Sequence, residues 1–159
     1  MKLKIDWKKL IISVIIAQAA GMIGSIFTFQ SIPTWYASLN KPSITPPNWL
    51  FGPMWTSLYT LMGISFYIIW TKGFKSKDAK LACALYLIQL GLNALWSIIF
   101  FGFKSLVGGL IEIIFLWFFI LATMIEFRSI NKTAGYLLLP YLAWVTAATI
   151  LNFSIAWLN

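Results

Sequence analysis

The side chains of this chain that can do chemistry are amides, aromatic rings and one acid, set at helical spacing. Gln89, Asn93 and Trp96 fall at i, i+4 and i+7, Trp55 and Tyr59 at i, i+4, and Trp144, Ala148 and Asn152 at i, i+4, i+8. Each set shares one face of a helix. Indole and phenol rings stack on flat hydrophobic ligands, and a few amides among them fix orientation. Taken singly, each set also reads as interhelical hydrogen-bond glue or as an interfacial aromatic belt; three such faces together point to a lined pocket. Glu112 is the one acid well inside an apolar stretch. It is either functional or a hydrogen-bonded residue pinning two helices. The chain has no histidine, so the usual general base, haem axial ligand and commonest metal ligand are missing. Cys83 is alone, which excludes an intrachain disulfide and a cysteine metal cluster. No metal or cofactor is expected.

These residues must be positioned by five apolar stretches, Leu10–Phe29, Trp49–Trp70, Leu81–Phe101, Leu106–Ile125 and Tyr136–Trp157. Each has the roughly 20 residues that a helix needs to cross a hydrocarbon core. Backbone polar groups cannot go unpaired in lipid, so the spans should be helices. With 60% hydrophobic residues among 159 and a mean hydropathy of +0.84, the chain reads as an all-α integral membrane protein. It should form a single domain, one bundle of five transmembrane helices.

The net charge of +8 is a topology signal rather than a nucleic-acid footprint. Ten of the twelve lysines and arginines precede the first stretch or lie in the loops after the second and fourth; Lys41 and Lys104 alone fall on the other face. By the positive-inside rule the N-terminus is cytoplasmic, and the basic clusters sit on anionic headgroups. No nucleic-acid partner is expected.

The first stretch carries small residues at Ala17, Gly21 and Ser25, with Ala20 and Gly24 beside them, a stripe that lets helices approach closely. Its basic start and Ala17-Gln18-Ala19 resemble a secretory cleavage site, but the apolar run continues to Phe29, so a retained helix is expected. The connection Gln30–Asn48 holds Pro33, Pro42, Pro46 and Pro47 and should be stiff and extended. Pro53 is placed in the first turn of the second helix, and Gly102–Ser105 should form a tight hairpin.

Trp35-Tyr36-Ala37-Ser38-Leu39-Asn40-Lys41-Pro42, followed by Pro46-Pro47, Phe51-Gly52-Pro53 and Trp55, resembles the pattern of the translocator protein family, the tryptophan-rich sensory proteins related to the peripheral-type benzodiazepine receptor. The resemblance continues through Gln89-Leu90-Gly91-Leu92-Asn93 and Trp96, then Leu139-Pro140-Tyr141-Leu142-Ala143-Trp144 and Leu151-Asn152, so it spans essentially the whole chain. It implies a five-helix bundle, usually a homodimer, with a pocket under the loop 30–48 that binds porphyrins such as protoporphyrin IX and synthetic benzodiazepine-type ligands. The pocket residues so implied are Tyr36, Pro46, Phe51, Trp55, Tyr59, Asn93, Trp96, Trp144 and Ala148, with Gln89, Glu112 and Asn152 as further candidates. Glu112 stands where the family usually has aspartate. One departure concerns the sterol motif: Leu151 is followed by Phe153 with no basic residue after it, which suits a bacterial or archaeal membrane without cholesterol.

Three functions remain open on this reading. The first is a tetrapyrrole receptor or sensor, holding the ring on Trp and Tyr with its propionates near Lys41. The second, also implied by the resemblance, is a light-dependent porphyrin-degrading activity in which Trp55 and Trp144 intercept reactive species. The third is a transporter of small hydrophobic molecules, for which the chain offers Glu112 and a few amides but no paired ionisable groups.

Overall fold

Asp6, Ser76, Ser105 and Asn131 begin four helices in the computed structural model, which describes residues 5–159. Their side-chain oxygens accept the backbone N–H of Lys9, Ala79, Gly108 and Ala134 at 3.1 to 3.2 Å, satisfying donors that a helix start leaves unpaired. The helices are α1 (Trp7–Ser31), α2 (Asn48–Lys72), α3 (Lys77–Ser97), α4 (Leu106–Ile130), the short α5 (Lys132–Tyr136) and α6 (Leu139–Leu158). The polar caps carry the starts of α1 and α3 ahead of the apolar runs expected from sequence, and α4 outlasts its run to Ile130. The fifth run corresponds to α6, with the short α5 ahead of it sharing only Tyr136; the break falls at Leu137–Leu138, where Pro140 cannot supply the N–H that would continue one helix.

The largest departure lies in the segment expected to be extended from Gln30 to Asn48. Helix continues through it to Ser38, passing from α1 into a π-helical segment, Ile32–Tyr36. Pro33 lacks the N–H for the regular α pattern, and the wider turn accommodates it. Only Leu39–Pro47 is non-helical. Lys41 ends the helix: its ammonium donates to the carbonyls of Tyr36, Ala37 and Leu39 at 2.7 to 3.3 Å and lies over the Tyr36 ring. A cation there is favoured by the helix dipole. Lys41 is thus a helix cap, and its three donors are engaged by backbone rather than held toward a ligand's propionates. Pro53 falls in the second turn of α2 rather than the first, since α2 begins at Asn48. The Gly102–Ser105 hairpin is tight as expected, preceded by a second π-helical segment (Ile98–Gly102) and with Lys104 at φ 55°.

Around the bundle the helices follow the order α2, α1, α3, α4, α6, and the α2–α6 seam that closes the ring is the most lightly packed. Phe66 of α2 stacks on Tyr86 of α3 at 4.5 Å, and Tyr86 on Phe127 of α4 at 5.7 Å. Outward surfaces are apolar: Ile11, Ile15, Met22 and Ile26 on α1 and Ile111, Phe115, Phe118 and Ile125 on α4 are exposed. The buried set instead includes Ser13, Ser65, Gln89, Asn93, Glu112, Thr123 and Asn152. Polar side chains inside with a greasy exterior is the arrangement lipid demands. Four stretches, Trp7–Tyr36, Lys77–Gly102, Leu106–Ile130 and Lys132–Leu158, are long and apolar enough to cross a membrane. With 25 residues α2 is also long enough, but Trp, Tyr, Thr and Ser interrupt its apolar run.

Candidate functional site

The site is built where α1, α2 and α3 diverge toward the end of the bundle that carries the loop. Gly21 makes room for it: a Cβ there would lie 2.3 Å from the Tyr59 ring, so only glycine lets Tyr59 lean onto α1. The Tyr59 hydroxyl donates to Asn93 Oδ1, and Asn93 Nδ2 donates to the hydroxyl of Tyr141 on α6 at 2.7 Å. All three are buried, and this chain of hydrogen bonds joins three helices at the floor of a cavity. Trp55 lies against both tyrosines, with ring centroids 5.5 Å from Tyr59 and 6.2 Å from Tyr141. Trp96 donates from Nε1 to Asn152 Oδ1 at 3.2 Å and stacks on Phe100 at 5.1 Å, which fixes its plane.

The cavity above this floor has a volume of about 280 Å³. Of the residues expected from sequence, Tyr36, Phe51, Trp55, Tyr59, Asn93 and Trp96 line it. Pro46, Trp144 and Ala148 do not; they line a separate apolar hollow of about 230 Å³ between the start of α2 and α6. Phe51, packed edge-on against Trp144 at 6.1 Å, is the residue the two hollows share. Of the segment 30–48 expected to cover the site, Ile32, Tyr36 and Asn48 line the larger cavity, while Ile44 and Pro46 line the smaller. Asn40 is hydrogen-bonded to the end of α6, giving its backbone N–H to Asn159 Oδ1 and accepting from Asn159 Nδ2, both at 2.9 Å. The loop is thus drawn over α6.

The remaining candidates lie outside both hollows. Asn152 is buried, accepting from Trp96 and donating to the carbonyl of Leu106 at 3.1 Å, a helix-joining role. Gln89 and Glu112 are buried at 1% and 6% exposure, and neither side chain has a hydrogen-bond partner among the described residues. The α1 contribution was not anticipated: Gln18, Gly21, Met22 and Ser25 all line the cavity. Gln18, the lone amide of the first apolar run, was the available signal. Gly21 and Ser25 belong to the small-residue stripe, which is therefore part packing face and part cavity wall.

An aromatic cavity with an amide floor inside an all-helical bundle with an apolar exterior fits the class of multi-pass integral membrane proteins. A sequence model of the TspO/MBR family matches residues 13–158. A tryptophan-rich protein TspO of Archaeoglobus fulgidus is 49% identical over 95% of this chain and 97% of its own length. A tryptophan-rich sensory protein of Cereibacter sphaeroides is 42% identical over 79% and 77%, and the translocator protein of Homo sapiens 38% over 84% and 79%. The chain belongs to the TspO/MBR family.

Proposed function

We propose that this protein is a five-span membrane receptor for flat hydrophobic ring compounds, porphyrins such as protoporphyrin IX among them. The observation that carries this reading is the cavity walled by Trp55, Trp96, Phe51 and Tyr36 over the Tyr59–Asn93–Tyr141 floor. Aromatic walls with few polar groups suit a planar ring, which stacks without demanding paired charges. At about 280 Å³ the cavity stands at the lower end of ligand pockets, roughly 300–1,000 Å³. A tetrapyrrole therefore inserts one edge and leaves the rest in the gap between α1 and α2.

Protoporphyrin IX titrated into purified protein should quench tryptophan fluorescence with a dissociation constant of micromolar or below, about −8 kcal/mol. Trp55→Ala should weaken binding by about 1–3 kcal/mol, the value of one lost stacking partner. Trp144→Ala should cost well under that, since Trp144 lines the other hollow. Equal losses in both variants would move the ring into the α2–α6 hollow; no loss in either would end the reading. Running the titration dark and illuminated separates binding from breakdown. A discrete pigment product formed in light by wild type and abolished in Trp55→Phe would establish degradation as the activity.

The same reading places α2 across the membrane as a fifth span with the N-terminus cytoplasmic. In a Cys83→Ala background, a cysteine at Ser43 should react with an impermeant thiol reagent in intact cells, and one at Lys75 should not. The reverse pattern would overturn this topology.

A further inference from the structure

We propose that the cavity is loaded from the bilayer, through a doorway between α1 and α2, rather than from water beneath the loop; this rests on the ligand reading given above. The two helices touch at the lower end of their seam. A Cβ on Gly63 would lie 2.6 Å from the Cα of Val14, so the backbones meet there. One turn higher Gln18 latches them, its Nε2 donating to the carbonyl of Thr56 at 3.0 Å and to the hydroxyl of Thr60 at 3.1 Å.

Above that latch nothing polar ties the pair. The hydroxyls of Ser25, Thr28 and Thr56 turn back to carbonyls of their own helices, Met22, Gly24 and Gly52, at 2.8 to 3.1 Å. Among the described residues no side-chain hydrogen bond crosses from α1 to α2 above Gln18. The gap is physically open: a Cβ on Gly52 would meet nothing within 4 Å. Met22 and Phe29 line the cavity and yet are 61% and 71% exposed, so the wall they form is also the outer surface of α1. Met22 lies midway along the span Trp7–Tyr36, where the outer surface faces hydrocarbon. A flat apolar molecule is concentrated in that medium by the hydrophobic effect. None of the loop's non-helical residues 39–47 lines this cavity, and Asn40 ties that stretch to the end of α6, so it does not latch the seam.

The seam therefore acts as a kinetic gate, and its edge can be narrowed without disturbing the floor. Gly52 lies on an exposed surface in the second turn of α2, at the rim of the cavity, where an added Cβ meets nothing within 4 Å and any other residue but proline improves helix propensity. In lipid nanodiscs, with protoporphyrin IX as the probe and stopped-flow tryptophan quenching as the readout, Gly52→Phe should slow association and dissociation at least tenfold together. The dissociation constant should stay within threefold of wild type. The loop variant Pro46→Gly/Pro47→Gly should leave both rates unchanged. Wild-type rates in Gly52→Phe, with binding intact, would overturn the doorway and leave the receptor reading standing. So would faster release in the loop variant, or a tenfold loss of affinity in Gly52→Phe without a change in association. Absence of binding by wild type would overturn both readings.

Discussion

Gly63→Leu should leave almost no correctly folded protein in detergent or lipid. The built Cβ meets the backbone of Val14 at 2.6 Å and the carbonyl oxygen of Ser13 at 3.0 Å, and neither is the flexible end of a side chain that can swing aside. Overpacking of this kind costs typically about 1–3 kcal/mol and more where backbone must shift; here the α1–α2 separation itself must grow. The Gln18 latch one turn away would be stretched at the same time. Thermal unfolding followed by size-exclusion fluorescence would measure the effect. Gly52→Ala, in open space, is the matched control and should melt at or slightly above the wild-type temperature. A Gly63→Leu variant as stable as wild type would show that the helices do not meet there.

The second large effect is expected at Asn93. Asn93→Leu removes the acceptor for Tyr59 and the donor to Tyr141 in one change, leaving two phenols at 5% and 0% exposure without partners. An orphaned buried hydroxyl costs about 1–3 kcal/mol, while measured hydrogen bonds between membrane helices average nearer 0.6 kcal/mol. Both phenols lie deep in the bundle, so the expected loss is about 2–4 kcal/mol, with ligand affinity falling as the floor loosens. The triple variant Asn93→Leu/Tyr59→Phe/Tyr141→Phe should regain most of the stability, since no polar group is then stranded, but not the affinity. If the single variant keeps wild-type stability and binding, the three residues do not act as a unit.

These effects show which parts of the protein were legible from residue order. The helices were, because lipid imposes length and apolarity on a spanning helix, and four of the stretches satisfy both. The facing of Asn93, Trp96, Trp55 and Tyr59 was too, because helical periodicity alone puts residues four apart on one side. The α1 wall was not: Gly21 reads as a packing residue until the ring of Tyr59 is seen filling the volume its missing Cβ leaves. Nor could the loop be read correctly. Prolines argued for a stiff, extended connection, whereas the helix absorbs Pro33 in a π-helical segment and stops only where Lys41 caps it.

The sequence by itself thus determined the class, the helix faces and the family, since these follow from local periodicity, hydropathy and spaced motifs. Tertiary structure alone decided that Trp144, Ala148 and Pro46 line a different hollow from Trp55 and Trp96, and that Gln18, Gly21, Met22 and Ser25 of α1 wall the larger one. Both depend on how far apart helices distant in the chain are held. That spacing is set by pairs such as Gly63 against Val14 and Trp55 against Tyr141, whose meeting no periodicity in the chain encodes.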